Sequence, residues 1–340
     1  MILVTGGAGY IGAVTVHELL DKGFAVRVLD KFLYGDGPLA KVRNLIDCIE
    51  GDVCRFDDAW LEDVDVIIHL AGLSNDPTAE FNPEANRRIN TDATHAIAEA
   101  AKRKGIDRFV FASSCSVYDR GMIAEDIVQD EDSPVEPRAA YATSKYAAER
   151  ALLELADDTF HPVILRQGTT YGWSPRMRYD LVVNTFVRSA FEHGKLVVHC
   201  GGEMWRPLVD VTDIAKCYLA CIQAKPELVG GQIFNLSHKN YRILELAHWV
   251  QKALAGIVDV DIQVEYGSAT ARDYRVSTKK IERVLDFRPV RAVEDSARDM
   301  AQKIRDGIHA DFHNPRYYNI QWLELLVEME AHLKRLGSIF

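Results

Sequence analysis

A short apolar run, Met1-Ile-Leu-Val-Thr5, breaks into Gly6-Gly7-Ala8-Gly9-Tyr10-Ile11-Gly12 and then into a stretch with helical spacing. Few folds use that junction. Glycines at 6, 9 and 12 allow a tight turn, close approach of a pyrophosphate to the backbone, and close packing of helix on strand. The helix start then offers free N–H groups and the positive end of its dipole to phosphate oxygens. A dinucleotide-binding strand–turn–helix is the expectation, with Gly6, Gly9, Tyr10, Ile11 and Gly12 at the cofactor. Asp30 ends the second apolar run, where a carboxylate accepts from ribose hydroxyls and repels a 2′-phosphate. NAD is therefore expected over NADP, although Lys31 next to it is a cation that tolerates phosphate. Asp52 and Val53, in Gly51-Asp52-Val53, follow another apolar run; Asp52 is either an acceptor for the adenine amino group or an ordinary turn acid.

Beyond the glycine turn, β-branched runs at 25–30, 64–71, 107–114 and 162–168 alternate with helical stretches at 10–22, 84–104 and 141–156. Strands alternating with helices imply an α/β fold, a Rossmann-type doubly wound parallel sheet covered on both faces. After about residue 170 the elements shorten and turns multiply. We expect a dinucleotide-binding domain over 1–170, with some later chain crossing back, and a smaller α/β substrate lobe over 171–313. The segment 314–340 carries Trp322, Leu323, Leu326, Met329 and Leu333 at helical spacing and is expected to be a helical tail that packs on the body or on a partner.

A tyrosine and a lysine, Tyr141 and Lys145, stand four apart and so share one helix face. A phenol is a poor base at neutral pH, with an ordinary pKa near ~10. A nearby ammonium and a positive nicotinamide ring favour phenolate, and the phenolate then takes a hydroxyl proton while hydride leaves the same carbon. Ser114, at the end of the 107–114 run, is placed to hydrogen-bond the reacting oxygen from the carboxyl end of a parallel strand.

The order and spacing of VTGGAGYIG, Asp30, GDV (51–53), HLAG (69–72), Asn90-Thr91, SSCSVY (113–118), YATSK (141–145), RPLVDVTDIA (206–215) and RDYRVSTKKI (272–281) resemble the extended short-chain dehydrogenase/reductases, specifically their NAD-dependent epimerase/dehydratase group. The resemblance spans roughly residues 1–310. It implies an NAD-carrying Rossmann lobe, a nucleotide-diphosphate sugar in the C-terminal lobe, and Ser114, Tyr141 and Lys145 as catalytic residues. Leu70, Ala71, Gly72 and Asn90 are implied at the cofactor. Ser116, Thr169, Leu181, Asn184, Arg206 and Arg272 are implied at the substrate, the two arginines clasping the diphosphate. The stretch 178–184 is expected to line the sugar and phosphate pocket, and Phe191–Val198 resembles the turn bordering the base.

Departures from the family pattern narrow the chemistry. The 4,6-dehydratases carry Asp-Glu just after the catalytic Ser/Thr, and decarboxylase relatives keep the glutamate; here Cys115 and Ser116 stand there. Cys115 is also one place off the register of the proton-transfer cysteine in 3,5-epimerases, leaving a packed thiol as the plainer role. Thr169 replaces an asparagine that touches the sugar in the glucose/galactose 4-epimerases. A 4-epimerase-type reaction through a transient 4-keto sugar is the first expectation. A nucleotide-sugar ketoreductase or dehydrogenase with exchangeable NAD(H) is the alternative, with a dehydratase or a non-catalytic NAD-binding protein behind it.

Bulk properties exclude other classes. Over 340 residues the net charge is −10 and the sequence pI about 5.6, which gives no general attraction for nucleic acid. No apolar run reaches the ~20 residues of a membrane span. The first strand leaves no room for a leader, and the six scattered cysteines carry no framework spacing, so reduced thiols and a cytoplasmic setting are expected. His309 and His313 lack companion ligands, so no metal is expected. A homodimer is expected through the helices near 84–104 and 141–156, with Ala147, Ala151 and Leu152 supplying an apolar seam.

Overall fold

In the computed structural model, residues 1–119, 127–267 and 273–337 are described. The first half contains β1 (Ile2–Thr5), α1 (Tyr10–Asp21), β2 (Val26–Asp30), β3 (Asp47–Glu50), β4 (Val66–His69), α2 (Asp76–Phe81), α3 (Pro83–Arg87), α4 (Ala93–Arg103), β5 (Arg108–Ser114), the two-residue β6 (Val128–Gln129), α5 (Ala140–Leu155) and β7 (His161–Gln167). β1 is buried along its whole length, as continuous apolar character requires of a strand covered on both faces.

Further along lie β8 (Thr169–Tyr171), α6 (Val182–His193), β9 (Lys195–Val198), β10 (Trp205–Asp210), α7 (Val211–Gln223), α8 (Pro226–Val229), β11 (Gln232–Leu236), β12 (Lys239–Arg242), α9 (Ile243–Leu254), β13 (Asp261–Val264), β14 (Arg275–Val276), α10 (Lys279–Leu285), α11 (Val293–Arg305) and α12 (Asn319–Leu336). Seven strands form one parallel sheet in the order β11-β7-β5-β4-β1-β2-β3. The order reverses between β1 and β4, and that switch point opens a crevice at the carboxyl ends of the strands, where doubly wound sheets bind ligands.

Each face of the sheet has its own apolar layer. Ile97, Ala98, Ala148 and Leu152 from α4 and α5 cover one face, and Val16, Leu19, Ile214 and Tyr218 from α1 and α7 cover the other. A third core, around α6, α9 and α11, belongs to the C-terminal lobe. The boundary near residue 170 is therefore not a clean cut. α7 and β11, both inside 171–313, complete the first lobe's helix layer and sheet edge. Their apolar residues have nowhere else to be buried, because the edge of β7 needs a partner strand and α1 needs a neighbour.

Three further differences from the sequence reading have local causes. The stretch 84–104 is not one helix: a π turn over Arg88–Asp92 separates α3 from α4. Leu152 is fully buried in its own protomer's core, so it cannot supply a seam to a second copy. α12 packs through its first turns alone, and Met329, at 55% exposure, and Leu333 face solvent.

Candidate active site

The cleft at the switch point is built by the glycine turn. Gly6 has φ +71°, which an L side chain rarely adopts, and a Cβ on Gly12 would collide with the Gly6 carbonyl oxygen. The turn closes through Gly9 N–H donating to Gly6 O at 3.0 Å, and leads into the free N-terminus of α1. Gly6, Gly9, Leu70 and Gly72 line both halves of a continuous cleft, joined on one side by Asp30, Asp52, Val53 and Ala71 and on the other by Tyr10, Ile11 and Gly12. A cradle that a single Cβ would fill, beside open helix N–H groups, fits a dinucleotide pyrophosphate.

The acid at the end of β2 is held by backbone. Asp30 accepts from Ala8 N–H at 2.9 Å and from Phe32 N–H at 2.8 Å, while its burial pushes its pKa up. Lys31 turns away to Asp52, with Nζ 2.9 Å from the carboxylate, and Asp52 also accepts from Cys54 N–H at 2.9 Å. Burial alone would raise the Asp52 carboxyl, but Lys31 and the Cys54 N–H hold it below the ordinary range. Lys31 is thus occupied by Asp52 in this arrangement.

Ser114 ends β5, and Tyr141 and Lys145 lie on α5 facing it. Lys145 Nζ donates to Ala112 O at 2.8 Å and sits 4.8 Å from the Phe111 ring centroid. Burial lowers its pKa to about 8, with Glu149, one turn further along α5, pulling the other way. The half-buried Tyr141 phenol is pushed up to about 12 by burial, opposed by the charge of Arg178 and a hydrogen bond with Ser114. The cation that acts most on the phenol in the protein alone is therefore Arg178, whereas the sequence pattern pointed to Lys145. The stretch 178–184 is expected at the sugar and phosphate pocket, but no spacing ties Arg178 to Tyr141 in the sequence.

The π turn explains Asn90. Its side chain accepts from Leu73 N–H at 2.9 Å and donates to Leu73 O at 2.9 Å, Asn86 Oδ1 at 2.7 Å and Ser144 Oγ at 3.2 Å. The extra residue of the turn aims this one side chain into the gap between the 70–73 loop and α5, the kind of use to which π turns are often put. Asn90 therefore fixes the cleft wall against the helix that carries Tyr141.

Other expected positions fall unevenly. Leu181 lines the cleft together with Thr170 and Arg178. Thr169 is not among the described residues lining it; it lies on the other face of β8, paired in register with Leu208 of β10. Asn184 is buried and fully engaged: Oδ1 accepts from Gly172 N–H at 3.0 Å, and Nδ2 donates to Arg178 O at 2.8 Å and Tyr10 OH at 3.0 Å. This ties the lobes together and leaves no polar atom of Asn184 for a sugar. The Tyr10 hydroxyl donates to Gly172 O at 2.5 Å, so its ring joins the second lobe's core while its backbone stays at the cleft.

Cys115 is buried and donates to Arg166 O at 3.0 Å, and burial pushes its thiol well above the usual range, as befits a packing residue. Ser116 is buried with no hydrogen-bond partner for Oγ. Arg206 is on β10, 5.7 Å over the Tyr274 ring. Arg272 lies outside the described residues.

The family model described as "NAD dependent epimerase/dehydratase family" matches residues 2–237. The chain belongs to that family, its members are NAD-dependent enzymes, and NAD is the cofactor this cleft is built for. A dTDP-glucose 4,6-dehydratase of Streptomyces niveus is 30% identical over 90% of this chain and 93% of its own length. A UDP-glucose 4-epimerase of Bacillus subtilis is 26% identical over 88% of this chain and 95% of its own. The fold is shared with UDP-glucuronic acid 4-epimerase from Bacillus cereus, solved with UDP-glucuronic acid and NAD, at 22% identity, with a TM-score of 0.77 and coverage of 90% of this chain and 99% of that one. At family level, then, this is an NAD-dependent enzyme of the class that contains nucleotide-sugar epimerases, dehydratases and decarboxylases.

Proposed function

We propose that the protein is a nucleotide-sugar 4-epimerase. The observation that carries this reading is the pairing of Ser114, Tyr141 and Lys145 with the absence of any carboxylate at positions 115 and 116. Elimination of water needs an acid and a base beside the sugar, and here those positions hold a buried thiol and a buried hydroxyl. When bound, NAD supplies a hydride acceptor and a positive ring close to the phenol. Tyr141 then takes and returns the proton of the 4-hydroxyl, Ser114 orients that oxygen, and Lys145, anchored on Ala112 O, favours the phenolate. Ser114, Tyr141 and Lys145 are the proposed catalytic residues. Arg206 and Arg272 are proposed for the diphosphate.

An epimerase regenerates its cofactor in every cycle, and a retained cofactor keeps the keto intermediate from side reactions. We expect the purified protein to carry NAD through gel filtration. Turnover of the matching UDP-, dTDP-, GDP- or CDP-sugar, found by thermal-shift screening, should proceed with no net change at 340 nm. Stoichiometric consumption of added NADH or NAD⁺ would instead establish the ketoreductase or dehydrogenase alternative.

Cofactor choice follows from Asp30. NAD should bind far more tightly than NADP, and Asp30→Ala should narrow the gap by removing repulsion of a 2′-phosphate. Calorimetric titration with both dinucleotides checks this, and equal affinities in the unmutated protein would reject the role assigned to Asp30.

A further inference from the structure

Arg176 is one of the most deeply placed cations in the molecule, at 5% exposure, and among the described residues it makes no ion pair. Its planar guanidinium lies over the Tyr34 ring, with Cζ 3.7 Å from the centroid, and Nη2 donates to Asn319 Oδ1 at 2.6 Å. Its Nε is buried with no hydrogen-bond partner. Two carboxylates lie within its electrostatic reach without pairing with it: Asp30, held by the Ala8 and Phe32 N–H groups, and Asp180 on the same strand-to-helix connection. Asp180 is committed to Arg178, with bonds of 2.8 and 3.0 Å, and to Asn319 N–H at 3.1 Å. Burying a guanidinium without a directly paired counter-charge is costly, because the lost water is replaced here by one amide oxygen and a ring face. A buried cation with an idle donor, lining a cleft, is built for an anion that arrives from outside.

The location identifies that anion. Arg176 lines the same cleft as Gly9, Gly12 and the N-terminus of α1, which together form the pyrophosphate cradle. The partner that holds the guanidinium, Asn319, is the first residue of α12, and its Nδ2 also donates to Ser74 Oγ at 2.9 Å. Three residues on, Trp322 Nε1 donates to Leu33 O at 2.6 Å, on the loop that follows Asp30, and Leu323 lines the cleft. The start of α12 thus lies across the cleft mouth, fastened to the 30–36 loop on one side and to Ser74 and Arg176 on the other.

We propose that Arg176 clamps the pyrophosphate of the dinucleotide cofactor, and that α12, through Asn319 and Trp322, is the strap that holds the clamp closed and slows cofactor release. The guanidinium and the helix N-terminus would grip the same phosphates from two sides, the charge-assisted arrangement that gives strong phosphate binding. The strap rests on, and deepens, the reading of a retained cofactor, and it gives a role to the packed first turns of α12. A sugar-nucleotide diphosphate carries the same chemistry, so the test must separate the two sources.

The experiment measures NADH release by fluorescence, after displacement with excess NAD⁺, and the binding of free UDP, dTDP and GDP by calorimetry. In Arg176→Gln, NADH release should quicken and NAD affinity fall by about tenfold or more, with nucleoside diphosphate binding unchanged. Asn319→Ala should quicken release several-fold while keeping the charge; if Arg176→Gln does not fold by circular dichroism, Asn319→Ala and Trp322→Phe decide the matter. Unaltered release in these variants, or a loss confined to the nucleoside diphosphates, would overturn the proposal. Release rates are independent of the 340 nm balance, so a fast-exchanging wild type that consumes NADH would defeat the epimerase reading without touching the assignment of Arg176.

Discussion

Tyr141→Phe should leave a folded protein that still binds NAD and turns over at least about a hundredfold more slowly. The substitution removes one hydroxyl from a half-buried ring and one hydrogen bond with Ser114, so the shape of the site is preserved. What disappears is the phenol proposed to exchange a proton with the reacting hydroxyl. Burial already pushes the phenol up to about 12, with Arg178 and Ser114 opposing. In the unliganded protein it is therefore protonated at neutral pH, and it becomes a useful base only when further positive charge is brought beside it. Ser114→Ala removes an orienting bond and should cost less than Tyr141→Phe. Steady-state rates on an identified nucleotide sugar, with NAD content measured in parallel, check the pair. Wild-type turnover in Tyr141→Phe would remove the phenol from the mechanism.

The parts of this site that could be read from the chain are those whose geometry is local. The glycine turn fixes its own conformation within seven residues, Tyr141 and Lys145 share a helix face through their spacing, and Asp30 and Ser114 sit at the ends of apolar runs that could only be strands. Residues brought together by the fold left no such trace. Arg176 and Asn319 are far apart in sequence and meet only because α12 returns across the cleft. Asn184 is implied at the substrate by the resemblance, but a polar side chain at such a position can serve either a sugar or the protein's own backbone. Which of these it does depends on where Gly172 and Tyr10 come to lie. β3, with the sequence DCIE and both ends exposed, is legible only as the short run before Gly51, too brief to show alternation. β11 is a short apolar run whose membership in the first sheet is a matter of topology. The π turn at Arg88–Asp92 leaves the helical period on either side intact, so its extra residue is invisible in the pattern.

Glu149→Gln should destabilise the fold by about 3–5 kcal/mol, the cost of leaving a buried charge without its partner. Glu149 and Arg166 have side-chain exposures of 1% and 3%, with Nη2 2.6 Å from Oε2 and Nε 3.0 Å from Oε1. Ser113 donates to the same carboxylate, and Arg166 Nη1 donates to the Tyr118 hydroxyl at 2.7 Å. Neutralising the carboxylate strands the arginine in an interior that offers no other counter-charge among these partners. The pair also lies directly behind the proposed catalytic lysine. Glu149 is one turn beyond Lys145 and raises its pKa against the lowering by burial, which brings it to about 8. Loss of that negative charge disfavours the ammonium, so the Lys145 pKa must fall further. If the cation is the active form, the alkaline limb of the rate profile moves to lower pH in Glu149→Gln, whereas mere loosening of the core would lower the rate at every pH without moving the limb. Denaturant midpoints followed by two independent probes, because a chain of this size need not unfold in two states, measure the stability change. A double variant, Glu149→Leu with Arg166→Met, should recover much of that stability by removing both charges, yet it should keep the shifted alkaline limb, because Lys145 still lacks its carboxylate. An unmoved limb in both variants would restrict Glu149 to holding β5, α5 and β7 together.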